Sequence, residues 1–270
     1  MSAPRAKRRL GQHFLFDPSI LRRIASATLA GPGDTVLEIG PGPGGLTAQL
    51  LQLGCRVVAI ERDADLLAAL RVRAQGAAIV EGDALELDWH AVAGRPPAAR
   101  WIVTGNIPYN ITTPLIDLAL RAPLPARVVF LVQQEVAARL AAQPGTKAYG
   151  ALSVGVQAAA QVERLFGVPA GAFTPAPRVR SAVVRLTPLA QPVVPLTAQA
   201  TFRRFVVQLF GLRRKQLAGS LRQILDASPD RVQRALAGLH IRPDTRAETL
   251  TPQQLWAVMR GLVDDVDGRC

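Results

Sequence analysis

The sequence predicts an α/β fold, a mostly parallel sheet covered by helices on both faces, followed by a small all-helical domain. Three observations predict it. Between residues 35 and 133, short β-branched apolar runs alternate with longer amphipathic stretches, the pattern of strands buried on both faces. A proline-rich stretch, LTPLAQPVVPLTA at 186–198, ends that pattern and reads as a linker. Beyond it, apolar residues recur at helical spacing.

Taken in order, TVLEIG (35–40) reads as the first strand and GLTAQLLQLG (45–54) as a helix ended by glycine. CRVVAIE (55–61) is a strand, ADLLAALRVRA (64–74) a helix and AAIVEGD (77–83) a third strand. WIVTG (101–105) and RVVFLVQ (127–133) are further strands, with helices at 114–122 and 135–142. VERLFGV (162–168) and SAVVRLTP (181–188) read as two closing strands, antiparallel at one edge. FTPAPRV (173–179) carries two prolines and is expected to be a loop. After the linker, 201–225 reads as one long helical region, followed by helices at 229–239 and 251–263. Thr251 is the expected N-cap of the last, ahead of Pro252. The expected organisation is a basic N-terminal segment over 1–30, a sheet domain over 31–189 and a helical domain over 190–270.

Composition narrows the function classes. A chain of 270 residues buries about three-quarters of its unfolded surface and needs no disulfide or metal staple. Of its two cysteines, Cys55 opens a predicted strand and Cys270 is the last residue, so no bridge is expected and a reduced, cytoplasmic setting is. Three scattered histidines, at 13, 90 and 240, argue against a metal site. No apolar run approaches the ~18 residues of a membrane span, and none follows the basic start, so neither membrane nor export signal is expected.

The net charge of +12 is unevenly placed. Residues 1–30 hold six Lys/Arg against one Asp, and residues 190–270 hold twelve against seven acids, leaving the body near neutral. Positive ends around a neutral middle suit a polyanion such as RNA. Arg213, Arg214 and Lys215, inside the expected long helical region, are the candidate phosphate contacts, with Lys7, Arg8 and Arg9 as the alternative track.

EIGPGPGGLT (38–47) joins the first strand to the first helix, where an open sheet binds ligands beyond the carboxyl ends of its strands. Gly40 and the glycines after it permit close approach to backbone. No Gly-x-x-x-x-Gly-Lys-[Ser/Thr] is present, which excludes a nucleoside-triphosphate loop. Glu61 ends the second strand, where a carboxylate can bond ribose hydroxyls, and Asp83 ends the third, where it can accept from an adenine amine. Both residues fit NAD and S-adenosylmethionine alike. The fourth strand favours the latter, because it ends in GNIPYNITTP (105–114). There Asn106 and the Ile107 carbonyl can accept hydrogen bonds from an exocyclic amine, Pro108 fixes the turn, and Tyr109 offers a stacking face. Such an amine is a poor nucleophile until its lone pair is turned out of the ring, which positioning alone can do.

NIPY resembles the (N/D)-(P/I/L)-P-(Y/F) motif of adenine amino-methyltransferases. The chain as a whole is similar to the ribosomal RNA adenine dimethyltransferases that modify two adjacent adenines near the 3′ end of small-subunit rRNA. KRRLGQHFLFD (7–17), VLEIGPGPGGLT (36–47), AIERD (59–63), EGDAL (81–85) and GNIPYNITTP (105–114) follow in family order. VQQEVAARL (132–140), GTKAYGALSV (145–154), FTPAPRVRSAVVRL (173–186), RRKQL (213–217) and RAETLT (246–251) complete the match.

The resemblance implies a Rossmann-like methyltransferase sheet using S-adenosylmethionine. It places His13 and Leu15 over the cofactor through backbone groups, Gly40 under its methionine part, Glu61 at the ribose and Asp83 at the adenine. It gives Asn106 both cofactor and target amine, Tyr109 one face of the target base and Phe173 the other. Phe14 and Phe173 also read as plain core aromatics. The implied partner is 16S rRNA in a small-subunit assembly particle, met by a monomer. Ala151 stands where the family often has arginine, Gly219 where asparagine is common, and His13 where asparagine is more frequent. Two other readings stay open: the macrolide-resistance dimethyltransferases of large-subunit rRNA, and a non-catalytic RNA-binding assembly factor on the same fold.

Overall fold

The computed structural model describes residues 6–7, 10–94 and 100–267; Arg8, Arg9 and Cys270, singled out above, lie outside the described residues. The chain divides into two compact units, one of residues 1–137 and 162–188, the other of 138–161 and 189–270.

The first unit opens with β1 (Phe14–Leu15) and α1 (Pro18–Ala27). Asp17 caps α1 by accepting from the Ser19 and Ile20 amides at 2.9 and 3.1 Å, and Pro18 takes the first helical position. Ile20, Leu21, Ile24 and Ala25 are buried. Burial contributes about 1.5–3 kcal/mol for each large side chain, against ~1 kcal/mol for a cap, so packing holds this helix more than its start signal does. The sequence reading treats 1–30 only as a basic segment and does not foresee α1.

The sheet follows: β2 (Thr35–Ile39), α2 (Gly45–Leu51), β3 (Arg56–Glu61), α3 (Ala64–Arg73), β4 (Ala78–Glu81), α4 (Trp89–Ala93), β5 (Trp101–Asn106), α5 (Thr112–Ala119) and β6 (Arg127–Gln133). All five residues of β2 are buried although alternate side chains face opposite ways, so both faces of the sheet are covered there. After α6 (Gln134–Leu140) and α7 (Ala151–Gln157) come β7 (Ala160–Val168), β8 (Phe173–Thr174) and β9 (Ser181–Pro188). Strand order is β4–β3–β2–β5–β6–β9–β7. β2 through β6 pair in parallel, and β9 runs antiparallel to β6, with Gln133 opposite Ser181. The chain moves outward from β2 to β4, then crosses to β5 and β6. The carboxyl ends of β2 and β5 therefore flank the switch point where ligands bind.

Two expectations need refining in this unit. The 173–179 stretch is not all loop: Phe173 and Thr174 form β8, which pairs antiparallel with β1, Leu15 opposite Phe173. The strand expected from Cys55 begins at Arg56, and Cys55 is a buried free thiol.

The second unit is helical: α7, α8 (Gln199–Gly211), α9 (Leu217–Leu225), α10 (Pro229–Gly238) and α11 (Pro252–Asp267). Its core holds Phe202, Phe205, Leu209, Leu221 and Leu255 together with Tyr149 and Val154 from α7 and the turn before it. Tyr149 is fully buried, donates to the Leu250 carbonyl at 2.9 Å, and has its hydroxyl pushed up to about 12 by burial. The unit boundary therefore differs from the expected sheet domain of 31–189: residues 138–161 interrupt the sheet unit and pack with the helices.

The expected helical run 201–225 is two helices, broken at 212–216. Arg213, Arg214 and Lys215 thus lie in a turn, not inside a helix. Arg213 is held by Glu248 and by the Lys147 carbonyl, leaving Arg214 exposed beside it. Thr251 caps α11 as expected: its Oγ1 accepts from the Gln254 amide at 3.2 Å, and Gln254 Oε1 accepts from the Thr251 amide at 3.0 Å.

Candidate active site

A cavity opens in the first unit at the carboxyl ends of β2, β3, β4 and β5. His13, Leu15, Gly40, Glu61, Asp83, Asn106 and Tyr109, predicted from sequence, all line it. Phe173 does not. It is 4% exposed and shares a core with Leu15, Leu21 and Val183, because β8 pairs with β1 and carries it inward. Its ring is packed in that core and is not part of the cavity lining.

A tight approach of backbone brings together the two strand ends that carry lining residues of the cavity. A Cβ on Gly105 would stand 2.4 Å from the Ile39 carbonyl oxygen, so only glycine lets the ends of β5 and β2 come this close. Gly40 follows with φ of +65°, a conformation that favours glycine.

Glu61, at the end of β3, is 5% exposed. Its two oxygens accept from the Gly42 and Asp63 amides at 2.9 and 2.8 Å. Burial raises its carboxyl above the usual range despite those two amides. Each carboxylate oxygen can accept a further bond, so Glu61 is both a brace for the glycine loop and a free acceptor toward the cavity. Asp83 accepts from the Leu85 amide at 2.9 Å and ion-pairs with Arg62 at 2.9 Å.

The sequence reading missed Glu38. This acid inside β2 is 1% exposed, lines the cavity, and has an oxygen, Oε2, without a hydrogen-bond partner. Burial, more than the neighbouring Glu61, pushes its carboxyl up to about 8. The signal was there: a carboxylate within the apolar run VLEI.

On the acceptor side, Asn106 Nδ2 donates to the His13 carbonyl at 2.8 Å, which leaves Oδ1 as the free acceptor. The His13 ring donates to the Pro175 carbonyl at 2.7 Å and stacks beside Tyr109, 5.8 Å between centroids at 24°. The Tyr109 hydroxyl bonds the Ser181 hydroxyl at 2.6 Å, and burial raises the phenol above its ordinary value. His13 is therefore engaged through its backbone carbonyl by Asn106 and through its ring by Pro175 and Tyr109. The head segment is strapped across the cavity by Asp63, which pairs with Lys7 and accepts from Gln12 Nε2 at 2.8 Å. Burial works to raise the Asp63 carboxyl, but the bonds from Lys7, Gln12 and the Asp65 amide together hold it below its usual range.

Among the described residues no group of three or more His, Cys, Asp or Glu could hold a metal ion, and no helix is long and apolar enough to cross a membrane.

Comparison with known proteins finds relatives over nearly the whole chain. The model of the family described as "Ribosomal RNA adenine dimethylase" matches residues 3–262. A protein of Acidithiobacillus ferrooxidans named "Ribosomal RNA small subunit methyltransferase A" is 44% identical over 264 residues, covering 97% of this chain and 96% of that one. A Synechococcus elongatus protein of the same name is 42% identical over 273 residues, covering 97% of each. Among solved structures, a dimethyladenosine transferase from Plasmodium falciparum shares the fold, with a TM-score of 0.73 at 24% identity over 91% of this chain and 96% of that one. The 23S rRNA methyltransferase ErmE aligns with a TM-score of 0.71 at 26% identity over 92% of this chain and 99% of that one.

Proposed function

The chain belongs to the ribosomal RNA adenine dimethylase family, and from that premise we propose that it transfers methyl groups from S-adenosylmethionine to the exocyclic amines of two adjacent adenines near the 3′ end of 16S rRNA. The substrate in this reading is the RNA within a small-subunit assembly particle, met in the cytoplasm by a monomer. The observation that carries the chemistry is the orientation of Asn106: its amide nitrogen is engaged by His13, so its oxygen is the atom presented to an incoming amine.

The residues present fit the cofactor. Glu38 supplies a buried oxygen without a partner, and Gly40, where an added Cβ would meet only the Asn106 carbonyl at 4.0 Å, leaves backbone open to a ligand. Glu61 would take the ribose hydroxyls and Asp83 the adenine amine. When bound, S-adenosylmethionine supplies a methyl group on a positively charged sulfur. Asn106 Oδ1 and the Ile107 carbonyl accept the N–H bonds of the target amine, turning its lone pair out of conjugation with the ring. Tyr109 holds the base by its face, worth about 1–3 kcal/mol, with its plane set by Ser181 and His13. No strong base is needed, because the methylated nitrogen is cationic and sheds its proton to water. The base must be single-stranded or flipped from its stack.

The large-subunit reading is not favoured, since the relatives matched over nearly full length at 42–44% identity carry the small-subunit name. A non-catalytic factor would not need a cavity lined by Glu61, Asp83, Asn106 and Tyr109 together. The test is incubation with S-adenosylmethionine and small-subunit particles lacking the modification, followed by nucleoside mass spectrometry. Two N6,N6-dimethyladenosines per RNA are expected. None, or modification of large-subunit RNA instead, overturns the reading.

A further inference from the structure

A second cavity lies in the first unit, beside the acceptor end of the first. It shares Gly11, Gln12, His13 and Tyr109 with that cavity and is otherwise lined mainly by Gln133 and the 175–179 loop. Gln133 is the last residue of β6 and sits opposite Ser181 across the antiparallel β6–β9 pair. Directly paired residues present their side chains on the same face of a sheet. Gln133 thus shares a face with the hydroxyl that anchors Tyr109. It is half-buried, and among the described residues its side-chain amide has no hydrogen-bond partner.

A half-buried amide without a partner, next to the ring on which a base is to stack, is placed to meet that base. We propose that Gln133 is a specificity residue, whose Nε2 donates to a ring nitrogen of the target adenine, N1 or N7, while the exocyclic amine is held by Asn106. The inference rests on the methyl-transfer reading and deepens it.

The chemistry of two successive transfers supports this division of labour. Each transfer replaces one N–H of the amine, so recognition through the amine weakens as the reaction proceeds. A contact to a ring nitrogen is untouched by either transfer and can hold the base in register for both. An amide is also a side chain matched to adenine, offering a donor to a ring nitrogen beside an acceptor for the amine. A carboxylate at the same position would offer no donor, and would face the lone pair of the ring nitrogen.

The experiment uses the whole protein and small-subunit particles carrying adenosine, 1-deazaadenosine or 7-deazaadenosine at the target position. Each deaza base keeps the amine and loses one ring acceptor. For the wild type, kcat/KM on one of the two analogues should fall roughly three- to tenfold relative to adenosine, the worth of one neutral hydrogen bond. For Gln133→Met, that analogue-to-adenosine ratio should return to near one, and for Gln133→Glu, whose carboxylate is repelled by the ring nitrogen but not by the C–H that replaces it, to one or above, whatever their overall activity. A purely structural role would lower activity on all three substrates and leave the ratios unchanged. Equal ratios in wild type and variants, or no loss on either analogue, overturn the inference and leave the methyl-transfer reading standing. Failure of the wild type to methylate the adenosine particle would sink that reading, and this inference with it.

Discussion

The two halves of the cavity are built by different means. The cofactor half is backbone and burial: Glu61 is braced by two main-chain amides, Glu38 is enclosed by its own sheet, and the Gly105–Ile39 approach brings two strand ends together. The acceptor half is side chain on side chain or on distant backbone: Asn106 to His13, Tyr109 to Ser181, the His13 ring to Pro175. Single substitutions should therefore strike the acceptor half through chemistry and the cofactor half through affinity and stability.

The largest effect is expected at Asn106. Asn106→Ala removes the oxygen aimed at the amine and should lower kcat by about 10²–10³, the range for losing one oriented group at a reacting centre. Binding of S-adenosylmethionine should change far less. Calorimetric titration alongside single-turnover methylation reads both, and a matched loss of affinity would erase the contrast between the halves.

Glu61→Gln is the reverse case. It keeps shape, surrenders charge and sets one amide donor against a main-chain N–H, so cofactor affinity should drop about 10- to 100-fold, the worth of a charged hydrogen bond, with some loss of stability. Methyl transfer at saturating cofactor should survive. A folded variant of undiminished affinity would remove Glu61 from the cofactor site.

Glu38 makes the cofactor half sensitive to pH. Its carboxyl value is raised from 4.5 to about 8 in the folded chain. The folded chain therefore holds a proton there that the unfolded chain has released. The stability this contributes is fully present below pH 4.5 and is lost as pH rises through about 8. Unfolding free energies of the cofactor-free protein, from urea titrations between pH 5 and 8, should fall by up to ~1.4 kcal/mol per pH unit from this group. Glu38→Gln should flatten that slope, and parallel slopes in the two proteins would mean that Glu38 does not titrate as a buried acid.

The smallest effect sharpens the acceptor side. Tyr109→Phe keeps the stacking face but strands the buried Ser181 hydroxyl, so a several-fold loss of activity is expected, well short of Tyr109→Ala. A double-mutant cycle with Ser181→Ala should give a coupling of about 1 kcal/mol. Zero coupling would mean that the 2.6 Å bond does not set the plane of the ring.

The contrast between the halves also explains what could be read from sequence. Strand ends, glycine turns and a lone Asn-x-Pro-Tyr are local patterns, so β2 to β6 and the residues at their ends were legible. Contacts between distant segments were not. Nothing local marks Ser181 as the partner of Tyr109, 72 residues away, or residues 138–161 as part of the helical unit's core. The burial of Phe173 was not legible because an aromatic ahead of two prolines fits a stacking platform and a core residue equally well, and only the β1–β8 pair carries it into the core. Arg213, Arg214 and Lys215 misled because the helical spacing on either side of them continues across a turn. Glu38 and the Asp17–Pro18 helix start were visible and were passed over.

The bond from Asn106 to the His13 carbonyl joins residues 93 apart in sequence. The orientation of the Asn106 amide thus depends on a segment from the other end of the unit, itself tied down at Asp63 by Lys7 and Gln12. A substitution at Lys7 or Gln12, far from Asn106 in sequence, therefore reaches the Asn106 amide through a short chain of contacts rather than through the strand that carries it.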